Sequence, residues 1–114
     1  MKYKLEKKFA LKWMNALRSG DYKQGCSFLK SDGMYCCLGV ACVITMPNAK
    51  LDNVGFIEKE PGGTNPAISA RLYNKMPKLL RGSSGFVNKV STMNDTGKTF
   101  NDIADWIEKN VEFI

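Results

Sequence analysis

A chain of 114 residues that is 44% hydrophobic and 25% charged has the size and composition of one globular domain with a core of its own, which excludes disordered, collagen-like and membrane-spanning classes. It carries a formal net charge of +6 and no histidine, which excludes Ser-His and Cys-His catalytic dyads and every histidine-bearing metal site.

The charge is unevenly placed. Residues 1–30 hold eight Lys/Arg against two acids, and residues 31–114 hold nine of each. Within residues 65–98, Arg71, Lys75, Lys78, Arg81, Lys89 and Lys98 stand against Asp95 alone, and the acids Asp102, Asp105, Glu108 and Glu112 follow in residues 99–114. Two basic segments ahead of an acidic one favour an anionic partner. Met1 to Lys8 is charged throughout and lacks the apolar stretch of a secretory signal, so the expected location is the cytoplasm.

In chain order, Phe9, Trp13, Ala16 and Leu17 recur at i, i+4, i+7 and i+8, which predicts an amphipathic helix ended by Gly20. The polar loop that follows holds Arg18, Tyr22, Lys23 and Gln24, side chains able to face a ligand. Cys26 to Lys30 and Met34 to Cys36 flank Ser31-Asp32-Gly33, a hairpin pattern because Asp-Gly supplies the positive φ of a tight turn.

Tyr35 to Ile44 has no charge and no polar group beyond the tyrosine hydroxyl and the thiols. A helix over residues 37–44 is apolar all round, so it must be covered all round. It is far shorter than the ~20 residues that cross a bilayer, so no membrane partner is expected. Gly39 inside it implies close approach of another backbone.

Residues 48–66 lack a period and read as a long loop around Pro61-Gly62-Gly63. Asn65-Pro66 starts a helix carrying Ile68, Leu72 and Met76, and Pro77 stops it. Gly82 to Gly85 reads as a turn and Phe86 to Val90 as a strand that pairs with the hairpin. A last helix from Phe100 is capped by Thr99, with Asp102 completing a capping box and Ile103, Trp106, Ile107 and Val111 on one face. The expected fold is α+β: a small single domain over residues 1–114, with three to four helices packed on a short antiparallel sheet and the 37–44 helix innermost.

The cysteines at 26, 36, 37 and 42 are expected to be free and without metal. A bridge between adjacent Cys36 and Cys37 is strained, and Cys37 and Cys42 stand ~140° apart on a helix, too far around to share a metal ion. No residues suggest catalysis: the thiols look structural, and Glu58 and Glu60 sit in a loop. No cofactor is implied, and nucleic acid fits poorly because no RNA-binding motif accompanies the lysines.

Asn94, Gly97, Lys98 and Thr99 carry the most specific pattern. Gly-Lys-Thr delivered to a helix start brings first-turn amides, an ammonium and a hydroxyl toward one phosphate. It is not a phosphate-binding loop of the NTPase type, which requires glycine where Thr92 stands.

Three stretches taken together, Trp13 with Ala16 to Gly25, Tyr35-Cys36-Cys37-Leu38-Gly39-Val40, and Met93 to Ile107 with its MND-x-GK-x-F-x-x-IADWIE pattern, resemble a group of small accessory proteins of tailed phages. The resemblance covers both ends of the chain and not the middle. It implies a setting and not an activity, an accessory protein acting in the host cell cytoplasm; by analogy with phage sponges, which agrees with the small size, the Gly-Lys-Thr helix start and the two basic segments, the expected function is sequestration without catalysis of a phosphorylated, nucleotide-derived small molecule. The alternative it leaves open is a protein–protein interaction module that inhibits or modulates a host protein. Homo-oligomerisation is compatible with either.

Overall fold

The computed structural model describes residues 3–55, 74–81 and 84–114. The helix expected from Asn65, the Pro61-Gly62-Gly63 segment, Glu58, Glu60 and the Gly82-Ser83 pair lie outside the described residues. Among these residues the order is β1 (Tyr3–Leu5), α1 (Lys7–Arg18), β2 (Lys30–Ser31), β3 (Met34–Tyr35), α2 (Cys37–Thr45), a 3₁₀ turn (Lys78–Leu80), α3 (Gly85–Asp95), α4 (Phe100–Asn110) and β4 (Val111–Phe113). The fold is a small α+β arrangement in which helices dominate and the strands are short.

The uncharged spine is α2, and it is enclosed as its composition requires: Cys37 to Cys42 are all buried. Helix α1 covers one side, where the buried Trp13 donates its indole N–H to the Cys37 carbonyl at 3.0 Å. Helix α3 covers another, with Val90 and Asn94 against the start of α2. A Cβ on Gly39 would overlap the Leu29 carbonyl, so the missing side chain is what lets the segment before β2 cross the helix. The Cys36 side chain acts as N-cap, its Sγ accepting the Gly39 N–H at 3.4 Å.

The hairpin closes as the Asp-Gly pair requires. Asp32 and Gly33 have φ of 52° and 77°, both positive, as in a type I′ turn, and Lys30 and Ser31 pair antiparallel with Tyr35 and Met34.

Two parts of the sheet differ from the sequence expectation. Phe86 to Val90 belongs to helix α3 and not to a strand. Ser84 caps that helix by accepting the Val87 N–H at 3.2 Å, and Phe86, Val87, Val90 and Asn94 form a buried face at helical spacing. Burial of that face outweighs the β-propensity of the two valines. Among the described residues the hairpin therefore gains no third antiparallel strand. Instead β1 pairs parallel with β4, Tyr3 opposite Val111 and Leu5 opposite Phe113, and the Ile114 N–H donates to the Leu5 carbonyl at 2.9 Å. Over this pair the rings of Tyr3, Phe86 and Trp106 meet, with centroids 5.3 Å apart for Tyr3 and Phe86 and 5.9 Å for Phe86 and Trp106.

Candidate functional site

Helices α3 and α4 are joined by the turn Thr96–Thr99, which carries the Gly-Lys-Thr triplet. Gly97 has φ +101°, a left-handed conformation that favours glycine, and the reversal it permits brings the Lys98 N–H to the Met93 carbonyl at 3.0 Å. Thr99 then caps α4 as expected: its hydroxyl accepts the Asp102 N–H at 3.1 Å, and Asp102 accepts the Thr99 N–H at 3.0 Å. These bonds to Thr99 hold the Asp102 carboxyl below its ordinary pKa.

Opposite this turn runs the segment Gln24–Met34, and two amide side chains fasten it there. Gln24 donates through Nε2 to the Lys98 carbonyl at 2.8 Å and to Asn94 Oδ1 at 3.1 Å, and its Oε1 accepts the Phe100 N–H at 3.0 Å. Asn94, buried, accepts the Cys37 N–H at 3.1 Å and donates to the Gly25 carbonyl at 2.8 Å. Asp95 accepts the Ser27 N–H at 3.2 Å. Asn94 thus links α3, the Gln24 segment and the first turn of α2 through a single side chain.

Between the two walls lies an open cleft of ≈ 680 Å³. The α3–α4 side contributes Asn94, Asp95, Gly97, Lys98 and Thr99, and the other side Gln24, Gly25, Cys26, Ser27, Phe28, Ser31 and Met34. Five of the residues singled out from sequence are brought together here: Gln24, Asn94, Gly97, Lys98 and Thr99. Arg18 and Tyr22 instead line a neighbouring cavity of ≈ 230 Å³ that shares Gln24 and Thr99 with the cleft. The Arg18 guanidinium is held by Asp105 and Glu108, each at 2.7 Å, and Tyr22 packs edge-on against Tyr35. Lys23 joins the wall through its backbone carbonyl, which accepts the Tyr35 N–H at 2.8 Å, and its side chain lies outside the cleft.

The helix start is more self-contained than the sequence alone suggests. Of the first-turn amides of α4, that of Phe100 is taken by Gln24 and that of Asp102 by Thr99. An anion in the cleft would therefore be met chiefly by the Lys98 ammonium and by hydroxyls, not by a fan of free amides. Among the described residues, Lys98 forms no salt bridge.

Gly25, Cys26, Ser27, Phe28, Ser31, Met34 and Asp95 are the cleft residues not singled out from sequence. Phe28 is 40% exposed, unusual for a large apolar side chain.

All four cysteines are free thiols, with Cys26 exposed and Cys36, Cys37 and Cys42 buried. Burial pushes the three buried thiols up from their ordinary pKa, so they stay protonated and are poor nucleophiles. Among the described residues, no three Cys, Asp or Glu side chains converge to hold a metal, and no helix is long and apolar enough to cross a membrane.

No curated protein and no solved structure matches this chain. Residues 5–60 match a family described as a domain of unknown function, DUF8296. That similarity spans α1, the Gln24–Met34 wall, the hairpin and α2, and stops before the α3–α4 wall, so one wall of the cleft comes from the matched segment and the other from outside it.

Proposed function

We propose that this is a non-enzymatic accessory protein that binds and sequesters a phosphorylated, nucleotide-derived small molecule in the cleft between the Gln24–Met34 segment and the α3–α4 turn. The observation that carries the reading is the convergence of Lys98, without a carboxylate partner among the described residues, with the exposed ring of Phe28 around a volume of ≈ 680 Å³. A volume of this size suits a ligand of nucleotide dimensions. Lys98 supplies a cation for a phosphate, Phe28 and Met34 supply an apolar face for a base, and Ser27, Ser31 and Asp95 supply partners for sugar hydroxyls. The resemblance to tailed-phage accessory proteins supports the setting, a bacterial host's cytoplasm, and the absence of histidine supports binding without turnover.

Native mass spectrometry of the protein purified from bacterial lysate tests this. The expected result is an adduct of nucleotide mass that acid or heat releases. A bare polypeptide mass that stays unchanged after incubation with nucleotides would contradict it. The exposure of Phe28 favours one second reading, an interaction module that buries this ring against a host protein. In that case Phe28→Ala would abolish co-purification of one host protein while no nucleotide adduct is seen.

A further inference from the structure

Lys98 faces a second cavity as well as the cleft. On its other side, the groove between α3 and α4 encloses ≈ 330 Å³ lined by Lys89, Met93, Lys98, Asp102, Asp105 and Trp106. The two acids of this groove are already committed: Asp102 accepts the Thr99 N–H, and Asp105 accepts the Arg18 guanidinium at 2.7 Å. Neither lysine is in a salt bridge among the described residues, although the Lys98 ammonium is near enough to Asp102 to help hold that carboxyl below its ordinary pKa. Trp106 is half-buried and packed against Phe86 and Tyr3, with ring centroids at 5.9 and 6.1 Å, so a rigid aromatic group borders the groove together with two lysines that form no salt bridge among the described residues. An apolar ring with two adjacent cations is suited to an aromatic group carrying a phosphate.

We infer that the α3–α4 groove is a second subsite for the same ligand, which is therefore dinucleotide-like: one base lies beside Phe28 in the cleft, the other against Trp106, and the phosphate-containing linker passes over Lys98 toward Lys89. This rests on the cleft reading above and extends it from a nucleotide to a ligand with two bases. The geometric basis is that one residue, Lys98, lines both cavities, so a ligand occupying them together passes its linker over that residue. Lys89 belongs to the groove and not to the cleft, which makes the two subsites separable by mutation.

The test is calorimetric titration of the parent and Lys89→Ala with nucleoside 5′-monophosphates and with the corresponding linear and cyclic dinucleotides. The dinucleotide is expected to bind the parent at least about tenfold tighter than its monophosphate, because the second base binds as a tethered group. Lys89→Ala is expected to erase that advantage and leave the monophosphate affinity unchanged. Trp106 gives an independent readout, since the other tryptophan, Trp13, is fully buried. The dinucleotide should change the indole fluorescence, and Trp106→Phe, which keeps an aromatic ring in the groove, should remove the response. Equal affinity for monophosphate and dinucleotide, or dinucleotide binding unaffected by Lys89→Ala, would overturn the second subsite and leave the cleft reading standing. Failure of both ligands to bind would overturn the two together.

Discussion

Asn94 is the residue on which the site's architecture depends. Its amide is spent on Cys37, Gln24, Gly25 and Asp95, so it builds the cleft and is not available to a ligand. Asn94→Ala strands the Cys37 N–H and the Gly25 carbonyl, and each buried polar group left unpaired costs about 1–3 kcal/mol. The expected loss is roughly 2–4 kcal/mol in chemical denaturation; a variant within 1 kcal/mol of the parent, by the same principle, would show the hub to be dispensable. Gly39 makes a different prediction at the same scale. A methyl group there meets the Leu29 backbone, which cannot rotate away as a side chain could, so Gly39→Ala should cost at least about 3 kcal/mol, the upper end of overpacking. Circular dichroism melting of Gly39→Ala beside Ala41→Gly, a control in the same helix, checks this.

At the level of elements, the helices were largely legible in the sequence because each carried its own signals. The apolar stripe of α1, the uncharged run of α2 and the Thr99–Asp102 capping box are each contained within a dozen consecutive residues. Phe86 to Val90 misled because β-branched and aromatic residues satisfy either period over five positions; the deciding features are the Ser84 cap and the extension of the buried face to Asn94. The β1–β4 pair was not legible at all. It joins residues more than a hundred positions apart, and three-residue strands carry no periodicity. The candidate site divides the same way: its α3–α4 wall was announced by Gly-Lys-Thr, whereas its second wall depends on the long-range reach of Gln24 to Lys98 and Phe100.

The capping box has its own test. Thr99→Ala should lower stability by about 1 kcal/mol. Asp102 adds a pH signature: its carboxyl is below its ordinary value in the fold because it accepts hydrogen bonds from Thr99, so its contribution is present above the unfolded-state pKa and is lost as pH falls through the folded one. Asp102→Asn should therefore show a shallower loss of melting temperature on acidification below about pH 4 than the parent. Identical acid profiles would contradict the assignment.

For the whole molecule, the enclosed spine links thiol chemistry to stability. Cys36, Cys37 and Cys42 hold their protons in the fold above their ordinary value of 9.0, whereas in the unfolded chain they ionise near it. The unfolded state thus binds fewer protons at alkaline pH, and stability, complete below that value, falls as pH rises above it. Cys42→Ala should flatten the decline. With the native protein, a thiol reagent should label Cys26 promptly and the other three only on unfolding. Prompt labelling of more than one thiol would mean that the spine is not enclosed.

The positive charge has a comparable division of labour. Arg18 is neutralised by Asp105 and Glu108, an exposed pair worth about 0–1 kcal/mol that ties α1 to α4, while Lys98 stands over the cleft without such a partner. The most direct measurement is therefore calorimetric titration of the parent, Lys98→Ala and Arg18→Ala with a panel of mono-, cyclic and ADP-ribose-type nucleotides. The parent is expected to bind at least one of them. Lys98→Ala, as folded as the parent, is expected to lose about tenfold to a hundredfold in affinity, the worth of one charge-assisted hydrogen bond, while Arg18→Ala binds as the parent does. No binding by the parent, or equal binding by Lys98→Ala, would contradict it.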